Sequence, residues 1–347
     1  MFCRLYIFFF LVLLIFKTQY AEIATKVKYA AELNRVPTSC KIAALGDAGV
    51  ALPLDASSSF YNPSSHAFIK NYELSLEYAK LYGGMSSHWC GVFHIPLPEQ
   101  MNINVLFTRF ESGRIIQWDT LPQTELARLM DASLRPDSSY IGTFENNQNL
   151  LTFSIAKVFA LPIPRPAEYS YPLPIDLAVG LNFKGYWQTM NPGSSLRMGM
   201  NVNSDAGIML RIATDYDLIK KQVCREIYAG IGVKDFLRTN VIWLHSPDNY
   251  QETVDMTEYI GASYIDKTHF LGMNWIVSFA VQKYYNLTYH AGIEAQIADI
   301  FSIRLGLSDK SFTCGAGISY KSYALDYAFR FDELENSPMR IALKIGF

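Results

Sequence analysis

Six histidines are the residues of this chain best suited to acid–base or metal chemistry: His66, His88, His94, His245, His269 and His290. His88 and His94 stand six residues apart, so an unbroken strand would place both on one face. Neither has an acidic partner at the spacing of a metal site, which needs several ligands. We therefore predict strand or rim histidines and no metal site. His290 and Ser302 could be neighbours on adjacent strands, but many such pairs occur in any sheet and do not indicate a hydrolase.

The motifs of common enzymes and nucleotide-binding folds are missing. No Gly-x-Ser-x-Gly sequence provides a nucleophile elbow. Gly230-Ile231-Gly232 lacks the third glycine of a dinucleotide-binding loop. The charges nearly balance, with Lys+Arg 30 against Asp+Glu 32, which excludes nucleic-acid binding through bulk positive charge. We predict no enzymatic activity, no cofactor and no nucleic-acid partner.

Four basic residues near the end of the chain could bind an anion: Arg304, Arg330, Arg340 and Lys344. Each occupies a polar position in an alternating segment, so a closed sheet would turn all four toward the same side. One interpretation is that they hold the carboxylate of a ligand. The other, which we favour, is that they pair with inward acidic residues such as Glu294 and Asp326 in a hydrated lumen.

The elements that carry these residues alternate between apolar and polar positions. The segment 339–347 has Met, Ile, Leu, Ile and Phe on one face and Arg, Ala, Lys and Gly on the other. Such segments run for about 10 residues, the length that a tilted transmembrane strand needs. A soluble β-sandwich would also alternate. However, the apolar faces carry bulky aliphatic residues with aromatic residues at their ends, which is typical of strands that face lipid.

This periodicity predicts an all-β protein built as a 14-stranded antiparallel transmembrane β-barrel. The candidate strands are 72–81, 85–95, 102–112, 149–160, 174–187, 204–212, 223–234, 256–265, 273–282, 287–297, 299–307, 312–321, 322–330 and 338–347. The long connections 113–148, 188–203 and 235–255 follow odd-numbered strands. Connections after odd strands face outward in a barrel with both chain ends in the periplasm. A short helix is predicted from Gln123 to Leu134 in the first of them.

Residues 1–21 are predicted to be a secretory signal peptide. A short basic stretch precedes 12 unbroken apolar residues, Leu5–Phe16. This run is shorter than the about 20 residues that a membrane-spanning helix needs. Removal of the peptide would leave four cysteines, none in a Cys-x-x-Cys spacing: Cys40, Cys90, Cys224 and Cys314. They are either buried thiols or, in an exported protein, partners in a disulfide.

A segment rich in small residues lies before the first strand. It reads Ala-Leu-Gly-Asp-Ala-Gly-Val-Ala at 44–51 and Asp-Ala-Ser-Ser-Ser-Phe-Tyr-Asn-Pro-Ser-Ser at 55–65, with a turn at Asn62-Pro63. Arg-Leu-Gly-Leu follows at 304–307, and Gly-Ala-Gly-Ile-Ser-Tyr at 315–320. In this order the motifs resemble the FadL-like outer-membrane family, more closely its PorV/PorQ-type and spirochaete-type branch.

The resemblance implies an N-terminal periplasmic or hatch segment at 22–70, folded inside an outer-membrane barrel formed by 71–347. The hatch motif would consist of Gly46, Asp47, Gly49, Asp55, Tyr61, Asn62 and Pro63. The resemblance also implies a bacterial outer-membrane location, contact with outer-membrane lipid, and passive uptake of a hydrophobic, fatty-acid-like small molecule. The alternative is a non-enzymatic structural or cargo-binding barrel that acts with the proteins of a secretion system.

Overall fold

Antiparallel strands dominate the computed structural model, which describes residues 31–118, 127, 130–131, 140–161, 174–191, 196–217, 222–244, 251–309, 311–331 and 337–347. The predicted signal peptide and the first residues of the predicted hatch lie outside this part of the chain. Within it, no helix has both the length and the apolar character needed to span a membrane.

The described residues form eighteen strands, and fourteen of these form the predicted closed barrel. In chain order they are β1 (Glu73–Leu81), β2 (Ser86–Leu97), β3 (Met101–Ser112), β4 (Ile115–Trp118), β5 (Tyr140–Phe144), β6 (Asn146–Ala160), β7 (Ile175–Met190), β8 (Arg197–Asp217), β9 (Gln222–Lys234), β10 (Asn240–Leu244), β11 (Gln251–Thr253), β12 (Thr257–Asp266), β13 (Met273–Lys283), β14 (Leu287–Ile297), β15 (Phe301–Ser308), β16 (Ser311–Tyr320), β17 (Tyr323–Phe331) and β18 (Met339–Gly346).

The barrel closes because β1 pairs with β18 and β8 pairs with β9. The other strands lie outside the ring: β4 pairs with β5, while the β10–β11 hairpin extends the first part of β8. A closed ring leaves no unpaired backbone edge in the wall, which is the condition for a sheet to cross a bilayer.

The fourteen predicted strand positions are confirmed, but the predicted connections contain strand as well: β4 and β5 lie within 113–148, and β10 and β11 lie within 235–255. The largest departure is at 188–203. β7 and β8 continue into the predicted connection 188–203, leaving only 191–196 between them. The buried Asn201 of β8 donates from Nδ2 to Thr239 Oγ1 at 2.8 Å. This contact with a distant part of the chain stabilises a strand whose polar sequence is typical of a loop. The helix predicted from Gln123 to Leu134 lies mostly outside the described residues.

Exposure alternates along the barrel strands, with apolar side chains outside and polar side chains inside. On β15 the exposed residues are Phe301, Ile303, Leu305 and Leu307, and the buried residues are Ser302, Arg304, Gly306 and Ser308. A polar lumen inside an apolar outer surface is the arrangement of an outer-membrane barrel. The protein is therefore an outer-membrane β-barrel.

Residues 31–70, called the hatch below, lie inside the lumen and enter the wall at β1. The hatch contains one α-helix, Cys40–Ala44, and three 3-10 turns, Glu32–Arg35, Ala56–Phe60 and Ser65–Phe68. Among the described connections, 3-10 turns join barrel strands at Tyr82–Gly84, Pro98–Gln100 and Phe270–Gly272. Short elements of this kind suit a narrow lumen, because each can contact the wall through both its side chains and its backbone.

Candidate functional site in the barrel lumen

The first predicted hatch motif forms a tight turn against the wall. Gly46 has a φ of +69°, and a Cβ there would lie 2.3 Å from the backbone oxygen of Leu307, so only glycine fits. The neighbouring Asp47 accepts hydrogen bonds from the guanidinium of Arg330 and from Ser308 Oγ at 3.2 Å. The motif therefore joins the hatch to the wall by shape and by charge.

The second motif forms a fully buried turn at Asn62-Pro63. Asn62 Nδ2 donates to the carbonyl of Val50 at 2.9 Å, and Asn62 Oδ1 accepts from Ser64 Oγ at 2.7 Å. A Cβ at Gly207 in the wall would lie 2.0 Å from Asn62 Oδ1, so the wall glycine makes room for the turn. The amide thus crosslinks two parts of the hatch.

The remaining motif residues support the internal packing of the hatch. A Cβ at Gly49 would lie 2.8 Å from the ring of Tyr61. The Tyr61 hydroxyl donates to Asp47 Oδ1 at 3.4 Å, and burial raises the pKa of this hydroxyl well above its usual value. Asp55 precedes a 3-10 turn, and its backbone carbonyl accepts from Ser58 Oγ at 2.6 Å.

The inner surface of β14–β18, called the fastened face below, binds the hatch through paired polar groups. His290 Nδ1 lies 2.8 Å from the carbonyl oxygen of Gly46. Thr313 Oγ1 donates to the carbonyl of Ala44 at 3.0 Å. Among the described residues of this face, no buried polar side-chain atom lacks a hydrogen-bond partner.

The four predicted basic residues all lie on the fastened face, and each faces a carboxylate. The pairs are Arg304 with Glu294 at 2.6 Å and Asp326 at 2.7 Å, Arg330 with Asp47, Arg340 with Glu77 at 3.0 Å, and Lys344 with Glu73 at 3.9 Å. The structure does not bring the four together around one ligand position. Arg330 is the member of the set that lines the large cavity of the lumen.

That cavity has a volume of about 1310 Å³ and lies between the hatch and one end of the barrel. Its lining includes the aromatic residues Phe60, Tyr61, Tyr284, Tyr285, Phe312 and Phe331 and the charged residues Arg35, Asp47, Lys234, Asp235, Asp309 and Arg330. The wall residues come from the ends of β9, β13 and β17, opposite the end where Tyr72 stacks on Phe347. The strands β3 and β9, which precede the long connections, end on this side, and long connections mark the outward end of such a barrel.

Two cations in the cavity lie over aromatic rings. Lys234 Nζ is 3.8 Å from the ring centroid of Phe60, and the Arg35 guanidinium carbon is 3.0 Å from that of Tyr284. Arg35 also forms a salt bridge with Glu32 at 3.1 Å, whereas Lys234 has no salt bridge within the described part of the chain. Sequence reasoning missed Lys234 because it ends β9 beside a predicted loop. Its inward position in the alternation of that strand was the available signal.

The predicted strand histidines, His88 and His94, lie on β2, and both are fully buried inside the barrel. His66 of the hatch is fully buried beside His94, and burial together with that neighbour lowers the pKa of His66 from 6.5 to about 3. The described residues contain no group of three or more metal-ligating side chains. The four cysteines are free thiols: Cys40, Cys90 and Cys224 are buried, and Cys314 is partly exposed.

No protein-family model matches the chain, and no curated protein matches it in sequence. Its fold is similar to a FadL homologue from Pseudomonas aeruginosa, with a TM-score of 0.50, 11% identity, and coverage of 90% of this chain and 98% of that chain. The toluene transporter TodX from Pseudomonas putida gives a TM-score of 0.44 with 9% identity over 89% of this chain and 96% of that chain. The likeness to the FadL homologue shows that the chain has a FadL-like fold.

Proposed function

We propose that this barrel takes up hydrophobic small molecules with an anionic head group, such as fatty acids, by passive passage across the outer membrane. The observation that carries the proposal is the cavity at the outward end of the lumen. It combines aromatic surface with one ammonium group that has no salt bridge among the described residues. The FadL-like fold supports the same class of function.

The head group of the ligand would bind at Lys234. The other two cations of the cavity already have acidic partners, because Arg35 pairs with Glu32 and Arg330 pairs with Asp47. A ligand carboxylate at Lys234 would therefore gain a charge-assisted hydrogen bond without breaking a salt bridge of the described residues. Arg330, one of the four basic residues predicted as carboxylate contacts, lines the same cavity and would act as a second contact.

The apolar part of the ligand would lie against the hatch. Phe60 and Tyr61 of the hatch and Tyr284 and Tyr285, which follow β13, present aromatic surface to the same cavity. Burial of apolar ligand surface against these rings would favour entry from water. In the simplest route, the outward loops capture the ligand and the ligand then binds in the cavity. It is released after a movement of the hatch.

The alternative function is a cargo-binding or structural barrel of a secretion system, as the PorV/PorQ-type resemblance of the hatch motif implies. A scaffold of that kind needs no internal ligand cavity. The large cavity at the outward end therefore favours uptake.

Native mass spectrometry of the detergent-folded protein, followed by lipid extraction, tests the proposal. We expect a bound fatty acid or a similar amphiphile at about one copy per barrel. The substitution Lys234→Met should weaken fatty-acid binding roughly tenfold to hundredfold, because one hydrogen bond to a charged group is lost. It should leave the binding of the corresponding methyl ester unchanged.

Lys157→Met is the matched control, because Lys157 projects from the outer surface and pairs with Glu99 at 3.6 Å. This variant should bind the fatty acid normally. An empty barrel that binds no amphiphile but retains periplasmic or surface proteins would contradict uptake and support the secretion alternative.

A further inference from the structure

Lys234 keeps its ammonium group available in the cavity although two carboxylates lie close to it. Asp205 and Asp235 are the acidic groups that attract the charge of Lys234 most strongly. In the described part of the chain, neither forms a salt bridge with Lys234. Both pair instead with Lys184, whose Nζ lies 2.6 Å from Asp205 Oδ1 and also contacts Asp235 Oδ1. The pairing of Lys184 therefore decides which cation remains for a ligand.

Strand register places Lys184 beside the first of these carboxylates. Lys184 of β7 pairs with Asn203 of β8, and Asp205 follows two residues later on the same inward face. Such diagonal neighbours are roughly 7–8 Å apart, which a long side chain can span. Asn182, the cross-strand partner of Asp205, donates from Nδ2 to Asp205 Oδ2 at 3.0 Å. Asp205 is thus held at both carboxylate oxygens.

The end of β9 turns the second carboxylate toward Lys184. Successive residues of a regular strand point to opposite faces, so Lys234 and Asp235 would not both face the lumen. Asp235 follows the strand with a φ of +56°, in the left-handed region that aspartate tolerates better than most residues. Its backbone N–H donates to Asp205 Oδ1 at 2.9 Å, and its side chain accepts from Lys184 and from Asn34 of the hatch. Both Lys234 and Asp235 therefore line the cavity.

The three paired groups form a closed, buried cluster. Lys184, Asp205 and Asp235 are 5%, 2% and 4% exposed. Water screens the attraction between buried charges much less than that between exposed ones, so the cluster holds together strongly. Lys234 lies at its edge, over the ring of Phe60 and on the lining of the cavity. It is therefore the member of this charged group that faces the ligand space.

We propose that Lys184 sets the preference of the cavity for anionic ligands, because it occupies Asp205 and Asp235 and so leaves Lys234 to bind the head group. This inference rests on the uptake function proposed above and assigns the residue that selects the ligand charge. Lys184 does not touch the ligand and is a positioning residue. Without it, two carboxylates would face a single ammonium group, and one of them would capture Lys234. The cavity would then repel a carboxylate and attract a cation.

Lys184→Met tests the proposal through the charge of the ligand. Dodecanoate should bind this variant roughly tenfold to hundredfold more weakly than the native protein, because it loses a hydrogen bond to a free ammonium group. Methyl dodecanoate should bind equally well, and dodecyltrimethylammonium should bind more tightly. A merely structural role of Lys184 would weaken the binding of all three compounds together. Titration followed by native mass spectrometry measures the affinities.

A triple variant tests the cause. Lys184→Met combined with Asp205→Asn and Asp235→Asn removes the competing carboxylates together with their cation. Lys234 is then free again, so the binding of dodecanoate should return to within a fewfold of the native affinity.

Arg211→Met is the matched control. Arg211 also joins two carboxylates from neighbouring strands, Asp176 at 3.0 Å and Glu226, but it lies outside the lining of the cavity. Its removal changes the charge of the lumen by the same amount as the removal of Lys184. The affinity for dodecanoate should nevertheless stay at the native value.

Acetylation of Lys234 provides a measurement that needs no ligand. A small water-soluble N-hydroxysuccinimide ester reacts only with the neutral amine, and a carboxylate partner keeps an amine in its charged form. Lys234 should therefore be acetylated roughly fivefold or more slowly in Lys184→Met than in the native protein. The rate should recover in the triple variant and stay unchanged in Arg211→Met. Peptide mass spectrometry reads out the modified residue.

Heat-dependent gel migration verifies that each variant forms the barrel. A Lys184→Met variant that binds dodecanoate at the native affinity, or whose Lys234 is acetylated at the native rate, would overturn the proposal. So would a folded triple variant in which neither quantity recovers. A native protein that binds no dodecanoate would contradict the uptake function instead, and the acetylation rates would still decide whether Lys184 keeps Lys234 unpaired.

Discussion

The fastened face and the inner surface of β2, β3 and β6 treat buried polar groups differently. On the fastened face, Arg304 reaches both Glu294 and Asp326, and each buried polar side chain that the structure describes has a partner. On the inner surface of β2, β3 and β6, the amides of Asn102 and Asn104 donate to the hatch backbone. The hydroxyl groups of Thr108 and Thr152 on the same surface lie beneath apolar side chains and have no partner among the described residues. The hatch is therefore bound by a buried ion pair and hydrogen bonds on the fastened face, and by hydrogen bonds and apolar contacts on the other.

The largest loss of stability is expected from a substitution of Arg304, at the centre of the fastened face. Arg304→Met should lower the free energy of unfolding by roughly 3–5 kcal/mol, because it leaves the buried Glu294 without its cation and Asp326 with Lys41 alone at 3.9 Å. Urea unfolding followed by gel migration measures the loss. Arg109→Met is the control, since its pair with Glu111 is partly exposed and should contribute no more than about 1 kcal/mol. Equal losses of unfolding free energy in the two variants would show that the ion pairs of Arg304 do not stabilise the barrel more than an exposed pair does.

A smaller change on the same face should detach the hatch without unfolding the barrel. Gly46→Ala places a Cβ 2.3 Å from the Leu307 carbonyl oxygen at a positive φ. We expect the packing of the hatch against the wall to lose roughly 1–3 kcal/mol of stability. The buried Cys40 thiol of the hatch should then react faster with a water-soluble methanethiosulfonate, as read out by peptide mass spectrometry. Gly185→Ala is the matched control, because no atom lies within 4 Å of its added Cβ. Unchanged Cys40 labelling in Gly46→Ala would show that the turn does not anchor the hatch.

Acid should weaken the contact between the hatch and the inner surface of β2, β3 and β6. In the seated hatch, burial and the nearby His94 lower the pKa of His66 from 6.5 to about 3, so the ring is neutral. A released hatch would expose His66 and let it bind a proton below pH 6.5. The free energy that holds the hatch in the lumen should therefore decrease as the pH falls from about 6.5 toward 3, by at most about 1.4 kcal/mol per pH unit.

The measurement is the apparent melting temperature between pH 7 and pH 5. The melting temperature of the wild-type protein should fall further over this interval than that of a His66→Gln variant. Identical pH dependence in the two proteins would rule out His66 as the source of the effect.

The barrel itself could be predicted from the sequence because alternation is a local property. Each strand shows its lipid-facing side through residues two positions apart, as in the segment 339–347. The error at 188–203 shows the limit of this reasoning. Asn201 looks like a loop residue until Thr239, far away in the chain, provides a partner for its amide.

The candidate site was predicted less completely. The hatch motif residues were identified by resemblance, but their contacts with wall residues such as Gly207 and Leu307 depend on the closed barrel. The basic residues were found on the inner surface, yet Lys234 was missed. Salt bridges decide which cations are neutralised, and Glu294 and Asp326 reach Arg304 from neighbouring strands.

The sequence by itself determined the strand number, the polar lumen, the apolar exterior and the presence of a small-residue segment ahead of the wall. These features follow from the order of residue types along the chain. Only the tertiary structure decided which inward polar groups are paired and which are covered without a partner. That distinction depends on which hatch residue faces which wall residue, as Ala44 faces Thr313 while the apolar Phe60 packs into the cluster on the other side. Such contacts join residues far apart in the chain, so no local pattern records them.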